Sequence, residues 1–189
     1  LKMRRKPSGM NWDEAAAYAV SYIAAHVGFV QCARLRPKEW VLVHGAAGGI
    51  GMAAVDMAKA MGARVIAAAS TEEKRRAIAE IHAPDAVISS EAGFREEVKR
   101  ITGGVGADVI FDPVGGDVFD ESTRCIAFGG RLLVVGFTSG RKAQLATNIA
   151  LIKGFSVIGV RAGEFCRRFP DLGQQCYSAI DRLAEAGMI

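Results

Sequence analysis

Cysteine is scarce and scattered in this chain of 189 residues: Cys32, Cys125, Cys166 and Cys176 form no Cys-x-x-Cys pair, which argues against a disulfide framework and a zinc knuckle. A reducing, cytoplasmic setting is the resulting expectation. Long apolar runs are also lacking. No stretch of eighteen or more consecutive apolar residues occurs, and the basic opening Leu1–Pro7 has no apolar signal region behind it, so neither membrane insertion nor secretion is expected. Like charges cluster only at Lys2, Arg4, Arg5 and Lys6. Elsewhere the net charge of +4 arises from bases interleaved with acids, a pattern that disfavours nucleic acid as a partner.

Two motifs are missing as well. Met52, not a lysine, follows Gly51, so the phosphate loop of a nucleoside triphosphatase is excluded. Tyr18, Tyr22 and Tyr177 have no lysine four residues on, so the Tyr-x-x-x-Lys dyad of short-chain dehydrogenases is absent. The three histidines, His26, His44 and His82, share no ligand spacing, and no metal is expected.

What is present is a chain half hydrophobic, enough for one core. Asn11 can cap a helix with Asp13 and Glu14 in its first turn, running to about Cys32. Apolar strand-like runs then alternate with helical ones. Strands are expected at 40–44, 64–69, 85–89, 107–114, 131–137 and 155–160, with helices at 50–61, 71–82, 94–101, 117–128, 148–153 and 173–186. Gly62, Gly129 and Gly154 read as helix stops, and Pro113 as a strand end. Continuous apolar strands such as Leu132–Val135 suit a sheet covered on both faces. The fold class is therefore α/β, a Rossmann doubly wound six-stranded parallel sheet with helices on both faces, expected over 36–189 after a segment and linking helix at 1–35.

The first strand runs into Gly45-Ala46-Ala47-Gly48-Gly49-Ile50-Gly51 and then a helix. A pyrophosphate needs such a turn, free of bulky side chains, to reach the N–H groups at the helix start. Ala46 stands where the strict G-x-G-x-x-G pattern has its first glycine; Gly51 would let the helix lie close on the sheet. The alternative is plain helix–strand packing, which the strand–turn–helix order makes the lesser reading. At the end of the second strand, where an acid would accept from a ribose 2′-hydroxyl, the sequence reads Ala68-Ala69-Ser70. With Thr71, Lys74 and Arg75 nearby as donors, this favours NADPH, with Lys74 the first choice for its 2′-phosphate. Alternatively, Lys74, Arg75 and Arg76 form a solvated face paired with Glu72 and Glu73. The missing ribose acid also weighs against a methyltransferase.

With these residues in hand, the stretch from Met10 to Ile189 resembles the zinc-independent quinone oxidoreductases, the zeta-crystallin-like branch of the medium-chain dehydrogenase/reductase family. Four blocks carry the resemblance: Gly9–Ala17, Val41–Gly51, Phe111–Phe119 and Phe128–Phe137. It implies that a GroES-like catalytic domain and a returning C-terminal segment belong with this unit and lie outside the chain. It further implies hydride transfer from NADPH to a quinone or an α,β-unsaturated carbonyl, with Asp112, Val114, Phe137, Thr138 and Ser139 beside the nicotinamide and no acid or base assigned. Val20 falls where zinc-dependent relatives have a catalytic cysteine. Ala24 stands where threonine is common, Ser89-Ser90 replaces a stretch that often has tyrosine, and Ile81-His82-Ala83 replaces a usual Leu-Gly-Ala. A homodimer through the strand at 155–160 is implied too. The rival reading is a non-catalytic NADPH-binding sensory or structural module.

Overall fold

The Asn11 side chain accepts hydrogen bonds from the N–H groups of Asp13 and Glu14, each at 2.9 Å, while the Glu14 carboxylate accepts from the Asn11 N–H at 2.8 Å. This reciprocal cap satisfies donors that a helix start leaves open, and it begins α1 (Trp12–His26). The computed structural model describes residues 4–91 and 93–189; Lys2 lies outside them. The α1 helix widens into a π-helical turn at Val27–Ala33 and stops at Arg34, which is left-handed with φ 49°. By length and composition alone, the continuous stretch Trp12–Ala33 could cross a membrane. Its inner face is instead accounted for by the fold. Phe29 packs on Phe111 at 5.3 Å between ring centroids, and Gly28 lies against Phe111 and Leu133.

From there the chain alternates β1 (Trp40–Val43), α2 (Gly49–Ala60), β2 (Arg64–Ala69), α3 (Glu72–His82), β3 (Ala86–Ser89) and α4 (Phe94–Ile101). It continues through β4 (Ala107–Asp112), α5 (Gly116–Cys125), β5 (Ile126–Val134), α6 (Thr147–Lys153), β6 (Ser156–Gly159), α7 (Ala162–Arg168) and α8 (Pro170–Glu185). Every strand pairing is parallel and the order is β3-β2-β1-β4-β5-β6. The chain thus reverses direction across the sheet between β1 and β4, the place where open α/β sheets leave a crevice at their strand ends.

Alternation along the strands divides the core. Val41, Val43, Val65, Ala67, Val109, Phe111 and Leu133 face a layer with α1, α2 and α8; Leu42, Ile66, Ala68, Ile110 and Leu132 face Phe94, Val98 and Phe119 on the other side. The six-stranded α/β reading holds, with differences of local origin. The helix expected to reach Phe128 ends at Cys125, because Ile126 already pairs with Ala107. The ladder then shifts register before Val109 meets Arg131, so Gly129, at φ 75°, sits in an irregular strand and stops no helix. Helix α7 was not foreseen: seven residues without a capping side chain leave no periodic signal.

Candidate functional site

Between β1 and α2 the backbone turns through Gly45 (φ 58°) to Gly48, the cap residue of α2, and the Gly48 N–H donates to the Gly45 carbonyl at 2.9 Å. The close approach falls at Gly51, where an added Cβ would lie 2.1 Å from the Gly45 oxygen and 2.7 Å from the Ala46 Cα. Only glycine lets this helix start against its own turn. Among the described residues, the N–H groups of Ala47, Gly49, Ile50 and Gly51 have no hydrogen-bond acceptor, whereas that of Met52 bonds to the Gly48 carbonyl. These open donors crown a helix of 12 residues, the positive end of its dipole.

They face a cleft of about 520 Å³ at the carboxyl ends of the strands. Of the residues proposed from sequence, Ala47, Gly48, Gly49, Ile50, Gly51, Ser70, Lys74, Val114 and Thr138 line it together, drawn from four different strand–helix turns. Gly45, Ala69, Ser90, Pro113 and Val118 line it as well and were not assigned from sequence. Gly45 and Ala69 stood within the two segments already singled out, and Ser90 in the serine pair at the end of β3 where a tyrosine is common; Pro113 and Val118 are brought in by topology.

Six proposed residues do not line the cleft. Ala46 is fully buried, with its N–H on the Ala68 carbonyl at 3.1 Å. Thr71 caps α3, its hydroxyl accepting from the Lys74 N–H at 3.3 Å. The Arg75 guanidinium donates to the carbonyls of Ala69 and Ser70 at 3.2 and 3.0 Å, holding the β2–α3 turn, and Arg76 pairs with Glu72. Of the solvated face paired with acids, only the Arg76–Glu72 pair is found; Arg75 is held by backbone carbonyls, and Lys74 is exposed, lines the cleft and has no side-chain partner among the described residues.

Asp112 ends β4 beneath the cleft. One carboxylate oxygen accepts from the N–H groups of Val114 and Gly115 at 2.8 and 2.9 Å; the other is buried with no partner, and burial raises its pKa above the ordinary carboxylate value. It shapes the turn that presents Pro113 and Val114. The turn after β5 is tied to the same place, the Thr138 N–H on the Pro113 carbonyl at 3.1 Å and the Ser139 N–H on that of Val114 at 3.0 Å. Thr138 thereby reaches the cleft. Phe137 packs against the position where a Gly115 side chain would be, and the Ser139 hydroxyl hydrogen-bonds with the Arg141 backbone. Under the turn, fully buried His44 meets the Ser122 hydroxyl at 2.8 Å, and desolvation lowers its pKa to about 3. Among the described residues, no three His, Cys, Asp or Glu side chains gather as metal ligands.

The comparisons with known proteins agree with the fold. A family model described as "Zinc-binding dehydrogenase" matches residues 49–183. A quinone oxidoreductase-like protein 2 homolog of Nematostella vectensis is 41% identical over 88% of this chain and 46% of its own length. The chain spans about half the length of the curated quinone oxidoreductase-like relatives it matches. Among solved structures, a probable oxidoreductase from Mycobacterium abscessus superposes with a TM-score of 0.85 at 34% identity, covering 97% of this chain and 54% of that one. The nucleotide-binding subdomain of the enoylreductase domain of PpsC from Mycobacterium tuberculosis gives 0.78 at 28% identity, covering 91% of this chain and 96% of that one.

Proposed function

Because the chain belongs to the zinc-binding dehydrogenase family, as a nucleotide-binding domain of medium-chain oxidoreductases, we propose that it binds NADPH for the reduction of a quinone or an α,β-unsaturated carbonyl. The observation that carries this reading is the row of unpaired N–H groups at Ala47, Gly49, Ile50 and Gly51, at the mouth of a cleft that Lys74 also lines. Those donors fit a pyrophosphate, and the lone ammonium fits the 2′-phosphate that separates NADPH from NADH. When bound, NADPH supplies the hydride.

The chain's own residues bind and orient. Gly48 and Gly49 keep the turn open, Ser70 offers a hydroxyl where an acid would repel a phosphate, and Arg75 fixes that turn through two carbonyls. Asp112, by holding the Val114 and Gly115 N–H groups, sets the wall at the Val114–Thr138 end. Zinc has no part in this proposal: Val20, exposed on α1, offers no ligand at the position where zinc-dependent relatives carry cysteine. A reducing, cytoplasmic setting belongs to the same proposed reading.

Lys74→Ala tests it. Loss of a charge-assisted contact, about 1.5–3 kcal/mol, should weaken NADPH by about ten- to a hundredfold while NADH affinity is unchanged. Equal loss for both cofactors in calorimetric titrations rejects the phosphate assignment. The chain alone should turn over poorly, so acceptor-dependent NADPH consumption with an enone and a quinone is measured on the longer protein that joins it to the GroES-like catalytic domain the resemblance implies; a rate no higher than in protein-free buffer for both contradicts the reduction.

A further inference from the structure

On the far side of α2 from the strand ends of the cleft, a second cavity of about 510 Å³ lies among α1, the start of α2, the end of α3 and the segment after α8. Met10, Ala17, Met52, Ala53 and Ile189 give it apolar walls. His82, standing where the resembling family commonly has glycine, also lines it. The Tyr22 hydroxyl donates to one Asp56 oxygen at 2.6 Å, and His82 Nδ1 lies 2.6 Å from the other. A carboxylate only accepts, so Nδ1 carries a proton, and the tautomer that this selects has its lone pair on Nε2. The His82 side chain is nine-tenths buried and Nε2 has no partner among the described residues. A buried acceptor left unpaired costs about 1–3 kcal/mol, a cost that a suitable donor removes.

We propose that this cavity is a second small-molecule site, taking an apolar molecule of aromatic-ring size that carries one hydroxyl donor, seated with that donor on His82 Nε2. The size falls within the range of small-ligand pockets, and the two unbranched methionine side chains in the wall can re-pack to admit a ring. The Asp56 carboxylate behind Nδ1 fixes the ring's tautomer and orientation, while Tyr22, its own pKa raised by burial and by Asp56, stays a hydroxyl donor that holds Asp56 in place. The inference does not depend on NADPH binding. Gly49, the first residue of α2, lines both cavities.

The test compares p-cresol with toluene, its counterpart without the hydroxyl, by nitrogen-15 NMR of the imidazoles in the full 189-residue chain, where only three histidines need assigning. The expected result is saturable binding of p-cresol with a shift of the His82 Nε2 resonance, about tenfold tighter than toluene. His82→Asn keeps an N–H for Asp56 and, being shorter, places no acceptor where Nε2 lies, so it should bind both probes alike. Equal affinity of the two probes for the unaltered chain overturns the proposal, and that comparison stands even if the variant fails to fold. So does an absence of saturation by either probe up to about 10 mM, as when water fills the cavity or polypeptide covers it.

Discussion

Gly51 has no room for even one methyl group, since its neighbours within 3 Å are backbone atoms of Gly45 and Ala46 that cannot swing aside. Gly51→Ala should therefore cost about 3 kcal/mol or more by forcing α2 off its turn, read as a lower urea midpoint. Gly48 is different. A Cβ there makes only an ordinary 3.4 Å contact with the Gly45 oxygen, so the position can be altered without displacing the helix. His44 supplies the pH dependence. Its folded-state pKa of about 3 lies below the unfolded value, so the unfolded chain takes up a proton first as pH falls. Stability should be whole above pH 6.5 and decline between pH 6.5 and 3, with a slope of at most about 1.4 kcal/mol per pH unit from this residue. Urea titrations of His44→Gln should show a shallower slope; an unchanged one would assign the acid sensitivity elsewhere.

Elements with both a periodic core and a clear terminus could be read from the sequence. Arg64–Ala69 and Phe94–Ile101 are found where the apolar pattern placed them, and Asn11 caps α1 as its side chain and the acids behind it suggested. Asn11→Ala should lower stability by about 1 kcal/mol, seen as a drop in thermal midpoint without loss of the sheet's circular dichroism. The start of β5 was hidden because it follows α5 without a turn residue, and its glycines fall inside the irregular ladder. The candidate site was legible where one sequence segment makes it, in the turn from Ala47 to Gly51 and at Ser70 and Lys74. Pro113 and Val118 escaped because their place in the cleft depends on which strands become neighbours. Arg75 was read as a cofactor donor because sequence shows a donor near a turn, not whether backbone carbonyls already hold it, whereas Asp112, carried over from the family resemblance, is seen to order its turn through one oxygen.

On the scale of the whole molecule, strand β6 ends the sheet on one side, and among the described residues no strand lies beside its outer edge. Val157 is exposed there, and Leu151 and Ile152 on α6 are more than 70% exposed. Apolar groups beside an open strand edge favour pairing with a second copy about a two-fold axis, the homodimer that the family resemblance implies and that we propose here. Val157→Pro, which removes an N–H from that strand, should shift a micromolar solution from dimer to monomer in sedimentation velocity. An unaltered chain that is already monomeric would refute the dimer. The central claim is that the open donors of the β1–α2 turn hold a dinucleotide. Calorimetric titration of NADPH into the chain and into Gly48→Val, which narrows that turn, tests it most directly. One-to-one binding, tighter than for NADH and lost in a folded variant, is the predicted result; no binding by the unaltered chain, or binding that survives the substitution, would contradict it.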